Sequence, residues 1–268
     1  MNDHELARKL ARETGALLIG LRNHAASLSM GEDETHSALA EEVLGSEGDR
    51  VAHDYLMDQF SSHRPNDVVL SEEGDLEVAR LSVARVWIID PLDGTAQYSS
   101  GGDDFAVHIA LWEASSQNEG QISAASVAVP ARNELWSMDE LAQPYELTGS
   151  PIRILVSRNR PPREIPAVEK RLEEEFPERG RVEVVPMGSV GAKVGAILAG
   201  KADAYFNTGG FYEWDLAAPL GIAVHNGLSV SDCNGNPIEL NKVDLKVKDI
   251  LICRPELTAS IVNALGIK

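Results

Sequence analysis

Cysteine is close to absent from this sequence: two residues, Cys233 and Cys253, in a chain of 268. Their separation matches no metal-ligand spacing and both border apolar runs, so two buried, reduced thiols are expected. Long apolar runs are missing too. None is long enough to span a bilayer, and the N-terminal MNDHELARKL is charged where an export signal needs an apolar core. These absences predict a soluble, cytoplasmic protein. Basic residues are scarce: 24 Lys and Arg stand against 42 Asp and Glu, a formal charge of −18. Such a surface repels nucleic-acid backbones and anionic lipid, so neither a nucleic-acid polymer nor a membrane is an expected partner. A small anionic substrate is repelled as well, unless bound divalent cations reverse the field locally. The seven histidines form no HxxH or HExxH pattern, which argues against the usual zinc-hydrolase arrangement.

What is present is a 43% hydrophobic chain, enough for a sizeable core in one large domain or two intimate ones. Leu6, Leu10, Leu17, Leu18 and Leu21 share a helical face over residues 3–22. The polar, Gly-containing stretch 27–40 reads as a loop. Ser46-Glu47-Gly48-Asp49 reads as the start of a second helix, with Asp49 able to complete a capping box. Strands are expected at 67–70, 85–89, 105–112, 123–129, 134–138, 152–156, 182–185 and 202–206. Helices are expected at 164–175, 188–200 and 214–226, the last stopped by Gly227. Hairpins dominate the middle and strand–helix alternation the last third. Sheet layers covered by helices follow, an α/β (α+β) fold in two halves, 1–150 and 151–268.

The sharpest chemical signal is Asp90-Pro91-Leu92-Asp93-Gly94-Thr95. An apolar strand, Arg85 to Ile89, runs straight into an aspartate; a proline turns the chain and a second aspartate follows. Ligands of open α/β sheets gather beyond the carboxyl ends of strands. There Asp90 and Asp93 can present carboxylates to one cation or to two adjacent ones, with the Leu92 carbonyl as a further oxygen. Gly94 allows close backbone approach to an anion, and Thr95 offers a hydroxyl to position a water. Hard oxygen ligands select Mg²⁺, with Mn²⁺ as a substitute. Aspartyl-phosphate phosphatases of the haloacid-dehalogenase type also carry Asp-Gly-Thr, but their nucleophile lies two places before that Asp, where this chain has Pro91. Taken singly, Glu72 and Glu73 after the 67–70 strand read equally as a solvated loop, and Asp215 reads as a helix cap.

Together, Ser71-Glu72-Glu73, Trp87 to Thr95 and Glu213-Trp214-Asp215-Leu216-Ala217-Ala218 resemble the inositol monophosphatase superfamily of Mg²⁺-dependent, Li⁺-sensitive phosphatases. The likeness covers nearly the whole chain. It implies a layered αβαβα sandwich of the inositol monophosphatase and fructose-1,6-bisphosphatase type, assembled as a homodimer. It implies two or three Mg²⁺ per site, held by Glu72, Asp90, the Leu92 carbonyl, Asp93 and Asp215, most of them in the 1–150 half. Asp49 and Thr95 would activate the attacking water in a metal-assisted, in-line hydrolysis without a covalent intermediate. Asp93, Gly94, Thr95 and Glu213 would touch the substrate, a small phosphorylated metabolite.

Within the superfamily, Gly101-Gly102-Asp103-Asp104 before Phe105 to Trp112, Val156 to Pro162, and Gly188 to Lys193 resemble the CysQ-type 3'(2'),5'-bisphosphate nucleotidases. That resemblance implies conversion of 3'-phosphoadenosine 5'-phosphate to AMP and phosphate. Gly188 and Ser189 would line the substrate pocket, and Arg158, Arg160 and Lys193 are cations for a second phosphate. Ala96-Gln97-Tyr98 departs from what both nucleotidases and inositol phosphatases carry after Asp-Gly-Thr. An inositol 1-phosphate or fructose 1,6-bisphosphate phosphatase of the same mechanism is the alternative.

Overall fold

The structure is a computed structural model describing residues 1–28, 34–75, 78–115, 120–143 and 151–266, with the backbone alone at 28 and 34–40. The chain opens with two helices, α1 (Asp3–Leu28) and α2 (Glu34–His63). Strands β1 (Val68–Ser71), β2 (Arg85–Asp93), β3 (Ala106–Ala114), β4 (Gly120–Val129) and β5 (Glu134–Ser137) follow, with the single-turn α3 (Thr95–Ser99) after β2. The second half contains β6 (Arg153–Ser157), α4 (Ile165–Glu175), β7 (Glu183–Met187), α5 (Val190–Leu198), β8 (Ala204–Asn207), β9 (Phe211–Tyr212) and α6 (Glu213–His225). It ends with β10 (Ser229–Ser231), β11 (Lys246–Val247), β12 (Ile250–Cys253) and α7 (Thr258–Leu265).

Two five-stranded sheets result, ordered β1-β2-β3-β4-β5 and β10-β12-β8-β6-β7. Side-chain alternation along each strand assigns their faces. In β2, Trp87 and Ile89 pack with Leu6, Leu10, Leu56 and Phe60 of α1 and α2. Val86 and Ile88 point the other way, into a core shared with Val194, Ile197, Leu216 and Leu220 of α5 and α6. That core also takes Leu155, Tyr205, Ile250 and Ile252 from one face of the second sheet. The opposite face, with Ile154, Val156, Phe206 and Leu251, is covered by Val168 and Leu172 of α4 and Ile261 and Leu265 of α7. The layers therefore run α1α2, sheet, α5α6, sheet, α4α7, which is the αβαβα sandwich. Both cysteines are buried free thiols. Among the described residues no helix is long and apolar enough to cross a membrane.

The helical N-terminal layer corrects two expectations. The described part of 27–40 is helical, because α1 extends to Leu28 and α2 already begins at Glu34; residues 29–33 lie outside the described residues. Glu, Ala and Leu after residue 34 are strong helix formers and outweigh the polar composition. Asp49 consequently sits inside α2 and caps nothing. Gly45 and Gly48, inside the same helix, serve close packing. A Cβ on Gly48 would stand 2.7 Å from Tyr98 Cε1, and one on Gly45 would stand 2.9 Å from the Thr95 methyl. Each glycine costs its helix about 1 kcal/mol, offset by the approach that sets α2 directly against α3.

Candidate active site

The site lies where β1 ends alongside β2, its parallel partner, with Ser71 opposite Ile89. That register puts Glu72, just beyond β1, next to Asp90. β2 continues through Pro91 instead of turning away. Against β3, Asp90 pairs with His108 and Asp93 with Ala106, so Pro91 and Leu92 together oppose Val107. One extra residue makes a bulge, and a proline suits it because it has no amide to leave unpaired. The Leu92 amide donates to Asp90 Oδ1 at 3.0 Å. Gly94 then adopts φ 93°, a left-handed conformation favouring glycine, and starts α3.

Acidic side chains converge on this point from four elements. Asp90 is fully buried and, among the described residues, its Oδ2 has no hydrogen-bond partner. Burial, then the like charges of Glu72, Asp93 and Asp215, hold its carboxyl far above the usual range. Glu72 is solvent-exposed at its residue level, yet surrounding protein and the charges of Asp49, Asp93 and Glu73 push it to about 7. Asp215, in the first turn of α6, rises to about 7 through burial and the charge of Asp93. Asp49 rises to about 7 through burial and the charge of Glu73. Carboxylates crowded in this way keep protons unless a cation neutralises them. An orphaned buried oxygen on Asp90, ringed by acids, therefore fits a divalent cation. Among the described residues, Asp90, Asp93 and His108 bring one ligand atom each within 4.8 Å of one another.

Thr95 Oγ1 lies 3.2 Å from the Leu92 carbonyl and 3.4 Å from Asp49 Oδ1. Asp93 Oδ2 is held by the start of α5, accepting from Ser189 Oγ and the Val190 amide at 2.6 Å each. Ser189 has φ 48° and also caps α5 by accepting from the Ala192 amide. One pocket is lined by Asp93, Gly94, Gln97, Arg158, Arg160 and Asp215, with Gly188, Ser189 and Lys193 on its wall. Asp215 still performs the cap expected of it, since its Oδ2 accepts from the Tyr212 amide at 2.7 Å.

Two expected substrate contacts are committed elsewhere. Glu213 is buried and absent from that pocket. The segment 239–242 folds over the start of α6, and Glu213 accepts from the Asn241 and Lys242 amides at 2.6 and 2.8 Å. Arg80 completes this tie through the Asn241 side chain and the Lys242 carbonyl. Lys193 lines the pocket but is 3% exposed. Its ammonium donates to the Gly188 and Ser189 carbonyls and sits 4.7 Å over the Tyr205 ring; burial pushes it down to about 8. Arg158 and Arg160 remain as the pocket's exposed cations.

His108 is the residue that sequence reasoning passed over. It is buried, with Nε2 3.3 Å from Asp93 Oδ2 and Nδ1 3.9 Å from Asp90 Oδ2. Burial lowers its pKa. Gly191 exists to admit it, since a Cβ there would stand 2.3 Å from Nε2. No paired-histidine pattern marks it; only its strand register opposite Asp90 reveals it.

Comparisons with known proteins identify the family. The inositol monophosphatase family model matches residues 3–266. The 3'-phosphoadenosine 5'-phosphate phosphatase of Mycobacterium tuberculosis (strain CDC 1551 / Oshkosh) is 41% identical over 228 residues, covering 84% of this chain and 82% of that protein. The 3'(2'),5'-bisphosphate nucleotidase CysQ of Escherichia coli (strain K12) is 31% identical over 196 residues, covering 71% and 77%. Among solved structures, CysQ from Bacteroides thetaiotaomicron superposes with a TM-score of 0.71 at 23% identity, over 94% of this chain and 97% of that one, a likeness of fold. With the family match running through every strand and helix that frames the acidic cluster, the chain belongs to the inositol monophosphatase family.

Proposed function

We propose that this protein is a Mg²⁺-dependent 3'(2'),5'-bisphosphate nucleotidase converting 3'-phosphoadenosine 5'-phosphate to AMP and phosphate. The observation that carries the reading is one pocket joining two opposite charge environments. Asp93 and Asp215 line it together with Arg158 and Arg160. A phosphomonoester bound through cations at those carboxylates would find the arginines in the same pocket for a second phosphate. The names carried by the 41% and 31% identical relatives support the same substrate class.

Glu72, Asp90, Asp93, Asp215 and the Leu92 carbonyl are the groups that would hold the metal, and their hard oxygen donors favour Mg²⁺. When bound, the cation supplies Lewis acidity to the phosphoryl oxygens and acidifies water in its shell. The chain's own residues do the rest. Asp49 and Thr95, in hydrogen-bond reach of each other, orient the attacking water and take its proton. Gly94 and Thr95 amides face the phosphate, and Ser189 with the Val190 amide fixes Asp93.

Phosphate release measured with adenosine 3',5'-bisphosphate, inositol 1-phosphate and fructose 1,6-bisphosphate, each with Mg²⁺ and with added Li⁺, tests the substrate. The bisphosphorylated nucleoside is expected to show the highest kcat/KM and Li⁺ to inhibit. A preference for either sugar phosphate would overturn the nucleotidase reading.

A further inference from the structure

Asp104 ends the Gly101-Gly102-Asp103-Asp104 run and is not part of the acidic cluster. Its surroundings differ from those of its neighbour. Asp103 is exposed and meets Arg132 at 3.3 Å on the surface. Asp104 is 2% exposed. Its Oδ2 accepts from Arg158 Nη2 at 2.6 Å and, in a short contact, from the Gly188 amide. Burial alone would raise this carboxyl, but the Gly188 amide and the Arg158 guanidinium outweigh it and hold it below its usual range. The carboxylate is therefore an ionised, fixed anchor.

We propose that Asp104 is the positioning residue that presents Arg158 to the second phosphate of a bisphosphorylated nucleoside; this rests on the nucleotidase reading above. Three observations carry it. First, the Arg158 side chain is half exposed and lines the pocket while one Nη is tied down. A guanidinium has five N–H donors in a rigid fork, so one donor anchors the group and others stay available. Second, the anchor spans both halves of the molecule. The Asp104 carbonyl would stand 3.1 Å from a Cβ on Gly94 and 2.8 Å from one on Gly188. The residue whose backbone packs against Gly94 is thus also the one whose side chain holds Arg158. Third, Lys193 is less available for the part: it is 3% exposed, and two of its three N–H donors go to the Gly188 and Ser189 carbonyls.

Anchoring matters because a free arginine loses rotamer freedom whenever it grips a ligand. A side chain already ordered by Asp104 avoids most of that loss at binding. Asp104 thereby sets discrimination between substrates with and without a second phosphate.

The test compares KM for adenosine 3',5'-bisphosphate with KM for adenosine 3'-phosphate, which has the scissile ester but no second phosphate. Asp104→Asn keeps one oxygen for the Gly188 amide and loses the charge that holds Arg158. It is expected to raise the bisphosphate KM about tenfold, the effect of losing roughly one charge-assisted hydrogen bond, and to raise the monophosphate KM far less. In an Arg158→Ala background the same change should add little further, because both act through one contact. If Asp104→Asn does not fold, Arg158→Lys carries the test. It keeps the charge but not the fork, and a several-fold rise in bisphosphate KM is expected. An unchanged KM ratio in Asp104→Asn or Arg158→Lys overturns the proposal, as does a full Asp104→Asn effect without Arg158. A wild-type enzyme that does not hydrolyse the bisphosphate would remove the nucleotidase reading and this inference with it, whereas an unchanged ratio removes this inference alone.

Discussion

Asp90→Asn is expected to lower kcat by on the order of a thousandfold and to leave the fold intact. The size follows from what the residue offers: a fully buried carboxylate whose free oxygen faces the acidic cluster. Losing several kcal/mol of charge stabilisation in the transition state corresponds to such a factor. Folding should survive because asparagine is isosteric and its oxygen can still accept from the Leu92 amide. Stability has a definite sign. The folded-state pKa of Asp90 lies above its ordinary value, so ionising it disfavours the folded state. The metal-free protein therefore loses stability as pH rises from the ordinary carboxylate range toward the raised pKa. Asparagine removes that loss. Thermal unfolding of metal-free protein between pH 5 and about pH 8 should show the variant gaining on wild type as pH increases, while Mg²⁺ stabilises only the wild type. Near-normal turnover in the variant would sink the ligand assignment.

Asp49→Asn is expected to cost about 10²–10⁴ in kcat, the usual contribution of a positioned general base. Asp49 and Thr95 meet at 3.4 Å and would act on one water, so their effects should not add. Thr95→Val should lower kcat by a smaller factor, and the double variant should be no slower than Asp49→Asn within a few-fold. Single-turnover rates at saturating substrate give the comparison. Fully additive losses would mean that the two side chains do separate jobs.

Much of this site is legible in the sequence because it is local. The apolar run before Asp90, the two aspartates and Gly94 without a side chain read directly as a place that presents carboxylates, although β2 runs on through Pro91 to Asp93 where a turn is expected. The residues that were misread or missed depend on distant partners. Gly48 reads as part of a helix start, and only the packing of Tyr98 and Thr95 against α2 explains why a continuous helix accepts Gly45 and Gly48. Asp49 therefore looks like a cap although it lies mid-helix. Glu213 looks like a substrate contact because it precedes Trp214-Asp215, but the returning 239–242 segment takes its carboxylate. His108 belongs to the cluster through strand register alone. Lys193 reads as a free cation, and the turn of α5 onto its own ammonium is invisible without the fold. Beyond Gly227, β10, β11, β12 and α7 complete the second sheet, a two-stranded ladder and the outer helical layer.

The central claim is that the carboxylates around Asp90 form a metal centre for phosphomonoester hydrolysis. Phosphate release from adenosine 3',5'-bisphosphate, measured after stripping the protein with a chelator and again after returning Mg²⁺, tests it most directly. Turnover is expected to fall to background on stripping and to recover with Mg²⁺, yielding AMP and phosphate in equal amounts. Undiminished hydrolysis by the stripped protein, or none after Mg²⁺ is restored, would contradict the account.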